Sequence, residues 1–181
     1  LTNLATTVLA MATSNHNVIY LGTGESFGGL VGIRGNGIFK SNDRGQTWNH
    51  LPSTINFSDI NRIIIHPTDA NTAVAATAIG IYRTTNGGDT WTKVSNLQSV
   101  EDLKSTPGNF NIQYATQNSV GVLKSTNAGV TWALSNTGMS PNGRTEIAIS
   151  PNNTNRIFAS AQSTLGGSLS DLYVSDDAGT N

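Results

Sequence analysis

The chain alternates short apolar runs with polar turns, a pattern of half-buried strands rather than of long amphipathic helices. Ile63, Ile64 and Ile65 form one run, Pro67 to Asn71 a turn, and Ala73 to Ala78 a second run. The same order returns with a turn at Pro107 to Asn111 before Ile112 to Thr116, and with Ile147 to Ile149, Pro151 to Asn155 and Ile157 to Ala161. It also opens the chain, as Val8 to Ala12, Ser14 to Asn17 and Val18 to Leu21. Each pair of runs precedes a segment rich in Gly, Ser, Thr and Asn that can close a further hairpin, so the pattern predicts repeating units of four short strands.

The hairpin segments are copies of one another. Gly37-Ile38-Phe39-Lys40-Ser41-Asn42-Asp43-Arg44-Gly45-Gln46-Thr47-Trp48 returns as Gly80-Ile81-Tyr82-Arg83-Thr84-Thr85-Asn86-Gly87-Gly88-Asp89-Thr90-Trp91. A third copy runs from Gly121 to Trp132 and keeps Ser125, Asn127, Gly129, Thr131 and Trp132 in register. The tryptophans recur roughly every 40 residues, the length of a four-stranded propeller blade. A fourth copy begins at Leu172-Tyr173-Val174 and carries Ser175, Asp177 and Gly179, with Asn181 where the others have Thr.

The pattern Ser/Thr-x-Asp/Asn-x-Gly-x-Thr-Trp resembles the Asp-box, or BNR repeat, of sialidases, xyloglucan-cleaving glycoside hydrolases, sortilin-type receptors and a photosystem II assembly factor. The resemblance implies an all-β fold: a partial β-propeller of four-stranded antiparallel blades, about three complete and a fourth incomplete. The approximate blades are 7–52, 59–95, 100–135 and 144–181. Because the fourth copy reaches Asn181 before any Trp, the chain is expected to continue in both directions, its blades completed by the rest of its own propeller.

In such a propeller the motif is expected to clip the third strand to the fourth. Its Asp or Asn accepts turn amides, its Gly tolerates positive φ and its Trp covers the hairpin. Asn86 and Asn127 stand where Asp43 stands, so a charge is not required there, and a neutral amide can accept the same hydrogen bonds. A structural role is therefore expected for Ser41, Asp43, Gly45, Thr47 and Trp48, for Thr84, Asn86, Gly88, Thr90 and Trp91, and for the third and fourth copies. Small residues recur in the second strand, as Gly22-Thr23, Ala76-Thr77, Ala115-Thr116 and Ala159-Ser160, which suits a strand near a crowded propeller axis.

Composition narrows the partners. Charged residues make up 12% of the 181, the net charge is −1 and the ten basic residues are scattered, so no electrostatic footprint for nucleic acid is present. No apolar run approaches the roughly 20 residues that cross a bilayer as a helix. Cysteine is absent, which removes disulfides and thiolate metal sites. His16, His50 and His66 stand singly, and Ser175-Asp176-Asp177 lacks EF-hand spacing, so neither metal nor cofactor is expected.

If the clips mark one face, ligand contacts belong on the other, on the second-to-third loops and the blade-to-blade loops. Two of those loops are long, Thr23 to Ser41 and Ser160 to Ser175. Glu25, Phe27, Arg34, Asp59 and Arg144 are the candidates for ligand contact, with Glu101, Asp102 and Glu146 as neighbours on or near the loops, and Glu25 is the candidate for catalysis. Two functions compete. The repeat style is similar to that of large exported proteins of the Bacteroidetes, many of them type IX secretion substrates. That likeness implies a non-catalytic module of a secreted or cell-surface bacterial protein, serving adhesion, glycan contact or scaffolding, with export machinery or glycans as partners. The alternative is a glycoside hydrolase, which needs two carboxylates, about 5 Å apart for retention or about 6.5–9.5 Å for inversion. Thr23-Gly24-Glu25-Ser26-Phe27-Gly28-Gly29 resembles the Thr-Asp-x-Gly-Gly loop of xyloglucan-cleaving enzymes, with inserted residues and Glu for Asp. The Arg-Ile-Pro signature of sialidases is absent.

Overall fold

The computed structural model describes residues 5–25, 32–141, 143–162 and 170–180. Phe27 and the 163–169 stretch of the second long loop lie outside them. The chain divides into two compact units, Leu1–Asn96 and Leu97–Asn181.

The first unit holds two four-stranded antiparallel sheets. One contains β1 (Thr6–Met11), β2 (Ile19–Thr23), β3 (Ile38–Ser41) and β4 (Asn49–His50) in that order; the other contains β5 (Ile60–His66), β6 (Asp69–Thr77), β7 (Gly80–Thr84) and β8 (Thr92–Ser95). A 3-10 turn at Pro52–Thr54 joins them. The second unit repeats the plan with β9 (Val100–Thr106), β10 (Asn109–Gln117), β11 (Gly121–Ser125) and β12 (Ala133–Leu134), then a sheet of β13 (Thr145–Ile149), β14 (Ile157–Gln162) and β15 (Ser170–Ser175). Every pairing is a meander of sequence neighbours, as short polar turns between half-buried strands dictate. Among the described residues this makes three sheets of four strands and one of three, the composition of a partial propeller.

Within each unit it is the first strand, not the second, that meets the neighbouring sheet by its edge. Thr7 donates its hydroxyl to the Ile60 carbonyl at 2.6 Å, and Asp102 on β9 accepts the Ile147 amide of β13 at 3.1 Å. The small second-strand residues answer to packing between sheet faces instead. A Cβ on Gly22 would lie 2.6 Å from Ile60 Cγ2 and 2.6 Å from Val8 Cγ1, so only glycine lets the sheets approach this closely. Ala73 and Ala75 are fully buried in the same core, with Tyr20, Ile38, Leu51, Phe57 and Ile60.

Within each unit the two sheets are also tied by one Tyr and Lys pair. In the first unit Tyr20 donates to the Ala70 carbonyl at 3.0 Å, while Lys40 lies over the Tyr20 ring and donates to the Gly87 carbonyl at 2.9 Å. In the second, Tyr114 and Lys124 both donate to the Ala178 carbonyl, at 2.8 and 2.7 Å. Burial, and then the nearby Asp177 charge, pushes the Tyr114 phenol up to about 12, so it stays a donor throughout the neutral range.

Candidate functional site

At one end of every sheet the repeat motif forms a hydrogen-bonded clip between the third strand and the chain that follows it. In the first copy Ser41 Oγ accepts the amides of Asp43 (3.2 Å) and Gly45 (2.7 Å) and donates to Asp43 Oδ1 (2.7 Å), while Asp43 accepts the Thr47 amide at 2.8 Å and the Thr47 hydroxyl at 2.5 Å. The side-chain bond from Thr47, followed by its backbone bond and the Ser41 bond, holds the Asp43 carboxyl down at about 2.

In the second and third copies the Thr hydroxyl reverses its role: Asn86 Nδ2 donates to Thr90 Oγ1 at 2.9 Å, and Asn127 Nδ2 to Thr131 Oγ1 at 2.8 Å. The Thr90 and Thr131 amides still reach Asn86 and Asn127 Oδ1, at 3.1 and 2.9 Å. A hydroxyl that both donates and accepts therefore makes Asp and Asn interchangeable. In the fourth copy the Thr180 amide donates to Asp177 Oδ1 at 3.0 Å.

A second repeated feature accompanies the clip. Asn15, Asp69, Asn109 and Asn153 each accept, on their side chain, the amide of the Asn two residues on, closing Asx turns at Asn17, Asn71, Asn111 and Asn155. The carbonyls of those four asparagines then accept the amides of Arg44, Gly87, Ala128 and Ala178 in the clips, at 2.8–3.1 Å. These four clip residues all have positive φ, between 57° and 73°. The first-to-second turn and the clip are thus one locked structure, and the Asx-x-Asn spacing at every turn is the signal for it that a reading centred on the Ser/Thr-x-Asp/Asn repeat passes over.

The opposite end of the sheets carries the ligand-contact candidates. In the first unit the loop from β2 to β3 meets the linker into β5: the Gly35 amide donates to the Ser58 carbonyl at 3.0 Å, and Glu25 bridges Ile33. Glu25 and Arg34 are exposed and Asp59 is buried. A Cβ on Gly24 would lie 2.6 Å from Asp59 Oδ1, so the Gly24 backbone and the Asp59 carboxyl are close neighbours.

In the second unit the acidic candidates are engaged in the fold. Glu101 and Asp102 lie within β9 rather than on a loop, and both are buried. Glu101 accepts the Thr145 amide at 3.2 Å and the Asn118 side-chain amide at 2.8 Å. Asp102 accepts the amides of Leu103 at 2.9 Å and Ile147 at 3.1 Å, and pairs with Lys104 Nζ at 2.9 Å. Burial alone would raise the Asp102 carboxyl, but Lys104 and the two amides outweigh it and hold the group below the usual carboxylate range. On the exposed surface beside them Arg144 pairs with Glu146 at 2.5 Å. Among the described residues no three His, Cys, Asp or Glu side chains gather as a metal site requires, and no helix is long and apolar enough to cross a membrane.

Comparison with known proteins agrees with this architecture. A family model described as Sortilin-Vps10 (sortilin, neurotensin receptor 3) matches residues 36–119. The xyloglucanase of Hypocrea jecorina (strain QM6a) is 26% identical over 173 residues, which is 96% of this chain and 16% of that protein. An ancestral GH74 enzyme superposes with a TM-score of 0.73 at 20% identity, over 98% of this chain and 23% of its own. An auxiliary nutrient binding protein from Bacteroides thetaiotaomicron does so with a TM-score of 0.59 at 16% identity, over 94% and 41%. The chain is an Asp-box propeller module similar to xyloglucanase and sortilin-type domains. One fold thus carries both an enzyme and a binding protein, and likeness of fold does not choose between them.

Proposed function

We propose that these blades are a non-catalytic, glycan-contacting module of a larger secreted or cell-surface protein, exported in the manner of type IX secretion substrates. The observation that carries this reading is the employment of the second unit's carboxylates at the loop end. Glu101 and Asp102 are buried acceptors for strand amides, and Glu146 is paired with Arg144. A glycosidase needs one carboxyl free to protonate a leaving oxygen and a second free to attack or to activate water. Exposed Glu25 and Arg34, beside the exposed Ile33, instead offer hydrogen-bonding groups and an apolar contact, the usual elements of a shallow sugar subsite.

A second reading, a xyloglucan-cleaving hydrolase, is favoured by the 26% identity to the Hypocrea jecorina xyloglucanase and by the nearness of Asp59 to the loop that carries Glu25. Affinity electrophoresis of the full-length protein in gels containing xyloglucan or other plant and host glycans tests the glycan assignment. Retardation is expected in at least one glycan, with a several-fold weaker association for Arg34→Ala. Unretarded migration in every glycan would remove glycan contact from the account.

A further inference from the structure

Two described asparagines stand directly before a glycine, Asn36-Gly37 in the loop from β2 to β3 and Asn86-Gly87 in the second clip. Asparagine is chemically least stable in this dipeptide, because the nitrogen of a residue without a Cβ meets the least hindrance in closing onto the side-chain carboxamide. At the point that corresponds to Asn36, the second and third copies of the repeat carry Ile79 before Gly80 and Val120 before Gly121. Among these three copies the carboxamide is peculiar to the first.

The two dipeptides differ in what holds them. Both glycines are buried and Asn86 is the more exposed asparagine, so access of solvent by itself favours reaction at Asn86. Hydrogen bonding opposes it. The Asn86 carboxamide accepts the Thr84 hydroxyl at 2.9 Å and the Thr90 amide at 3.1 Å, and donates to Thr90 Oγ1 at 2.9 Å. The Gly87 amide, which must lose its proton before it can attack, donates that proton to the Asn71 carbonyl at 2.9 Å, and a hydrogen bond made by the protonated form disfavours its loss. Neither restraint acts at Asn36. Among the described residues its carboxamide has no hydrogen-bond partner and the Gly37 amide donates to no acceptor. The segment is held through other atoms: Thr23 Oγ1 accepts the Asn36 amide and donates to the Gly37 carbonyl, both at 2.7 Å.

We propose that Asn36 is a site of spontaneous deamidation, a modification that the hydrogen bonds of the second clip withhold from Asn86. Hydroxide removes the Gly37 amide proton, the nitrogen bonds to Asn36 Cγ, and the Cγ–Nδ2 bond breaks with loss of ammonia, leaving a succinimide ring. Water then opens the ring at either carbonyl carbon. Opening at Cγ leaves aspartate, with Asp in place of Asn36; opening at the main-chain carbon leaves isoaspartate, in which the chain runs through Cβ and Cγ. Either way one water is consumed and one ammonia released, and nothing is oxidised or reduced. Isoaspartate adds a methylene to the main chain between the two groups that Thr23 holds, so that clamp cannot keep both of its bonds. Either product sets a carboxylate two residues from the exposed Arg34. The inference does not depend on what this loop binds.

The test incubates the folded full-length protein in mildly alkaline buffer over several weeks, beside a sample unfolded in guanidinium chloride. Aliquots are digested at acidic pH, and the peptides that carry Asn36 and Asn86 are followed by mass spectrometry for replacement of NH₂ by OH, with electron-transfer fragmentation to identify isoaspartate. In the unfolded sample the two asparagines are expected to convert at similar rates. In the folded protein Asn36 should convert several-fold faster than Asn86 and yield both products. A smaller or reversed difference, or an Asn36 that stays intact in the folded protein while the unfolded sample converts, overturns the proposal.

Discussion

Asp102 is the residue at which burial, charge and strand pairing meet, and its removal gives a prediction with a worked magnitude. The side chain is fully buried and accepts two backbone amides, Leu103 and Ile147, besides pairing with Lys104. Asp102→Ala strands both amides, each costing about 1–3 kcal/mol when buried without a partner. Lys104 is 37% exposed and can turn to water, which keeps its own loss small. The sum is about 2–6 kcal/mol, which brackets the roughly 3–5 kcal/mol found when one partner of a buried pair is removed.

Asp102→Asn retains one acceptor oxygen while placing an NH₂ group against the second amide, and should lose about half as much. Urea unfolding followed by tryptophan fluorescence reads the effect as a fall in midpoint at unchanged slope. Glu146→Gln is the control, because its exposed pair with Arg144 is worth at most about 1 kcal/mol. Since the folded Asp102 carboxyl is held below its unfolded value near 3.9, its contribution is complete above that pH and is lost as the pH falls through the lower folded value. Asp102→Ala should flatten this acid limb. A loss below about 1 kcal/mol, or an unchanged acid limb, would refute the assignment of Asp102 as the tie between β9 and β13.

Asp43→Asn should leave the melting temperature at neutral pH unchanged, because Asn86 and Asn127 already make the same clip. It should also remove the part of acid destabilisation that falls between about 4 and about 2, as the depressed Asp43 carboxyl titrates; a large drop in melting temperature at pH 7 would contradict the interchange. Ala128 holds φ at 57°, a conformation costing a non-glycine residue about 1–2 kcal/mol, so Ala128→Gly should stabilise by about 0.5–1 kcal/mol in urea once the glycine's own entropy is counted. Tyr114→Phe removes one of two donors to the Ala178 carbonyl and should cost about 0.5–1.5 kcal/mol in the same assay, Lys124 continuing to satisfy that oxygen.

What the sequence made legible was what it repeats locally. The clip depends on side chains two to four residues apart, so its bonds are written into a short spacing, and the Asp/Asn exchange between copies reports that the carbonyl oxygen, not the charge, is in use. The partner of each clip is a backbone carbonyl, at Asn17, Asn71, Asn111 or Asn155, and a carbonyl leaves no letter. Only the Asx residue that shapes each turn marks the place. Glu101 and Asp102 read as polar positions suited to loops, yet they lie in β9, because the edge amides of β13 offer them the hydrogen bonds that water would otherwise supply. That compensation depends on a strand some 45 residues away. The Ala-rich second strands signalled crowding correctly, but the crowding is between sheet faces, as Gly22 against Ile60 shows.

The most direct measurement of the central claim is reducing-end release from xyloglucan by the full-length protein and its Glu25→Gln variant, run on a preparation shown to bind the polysaccharide. The account predicts binding with no release above background in either protein. Release by the wild type that vanishes in Glu25→Gln would contradict it and make the loop from β2 to β3 a catalytic one.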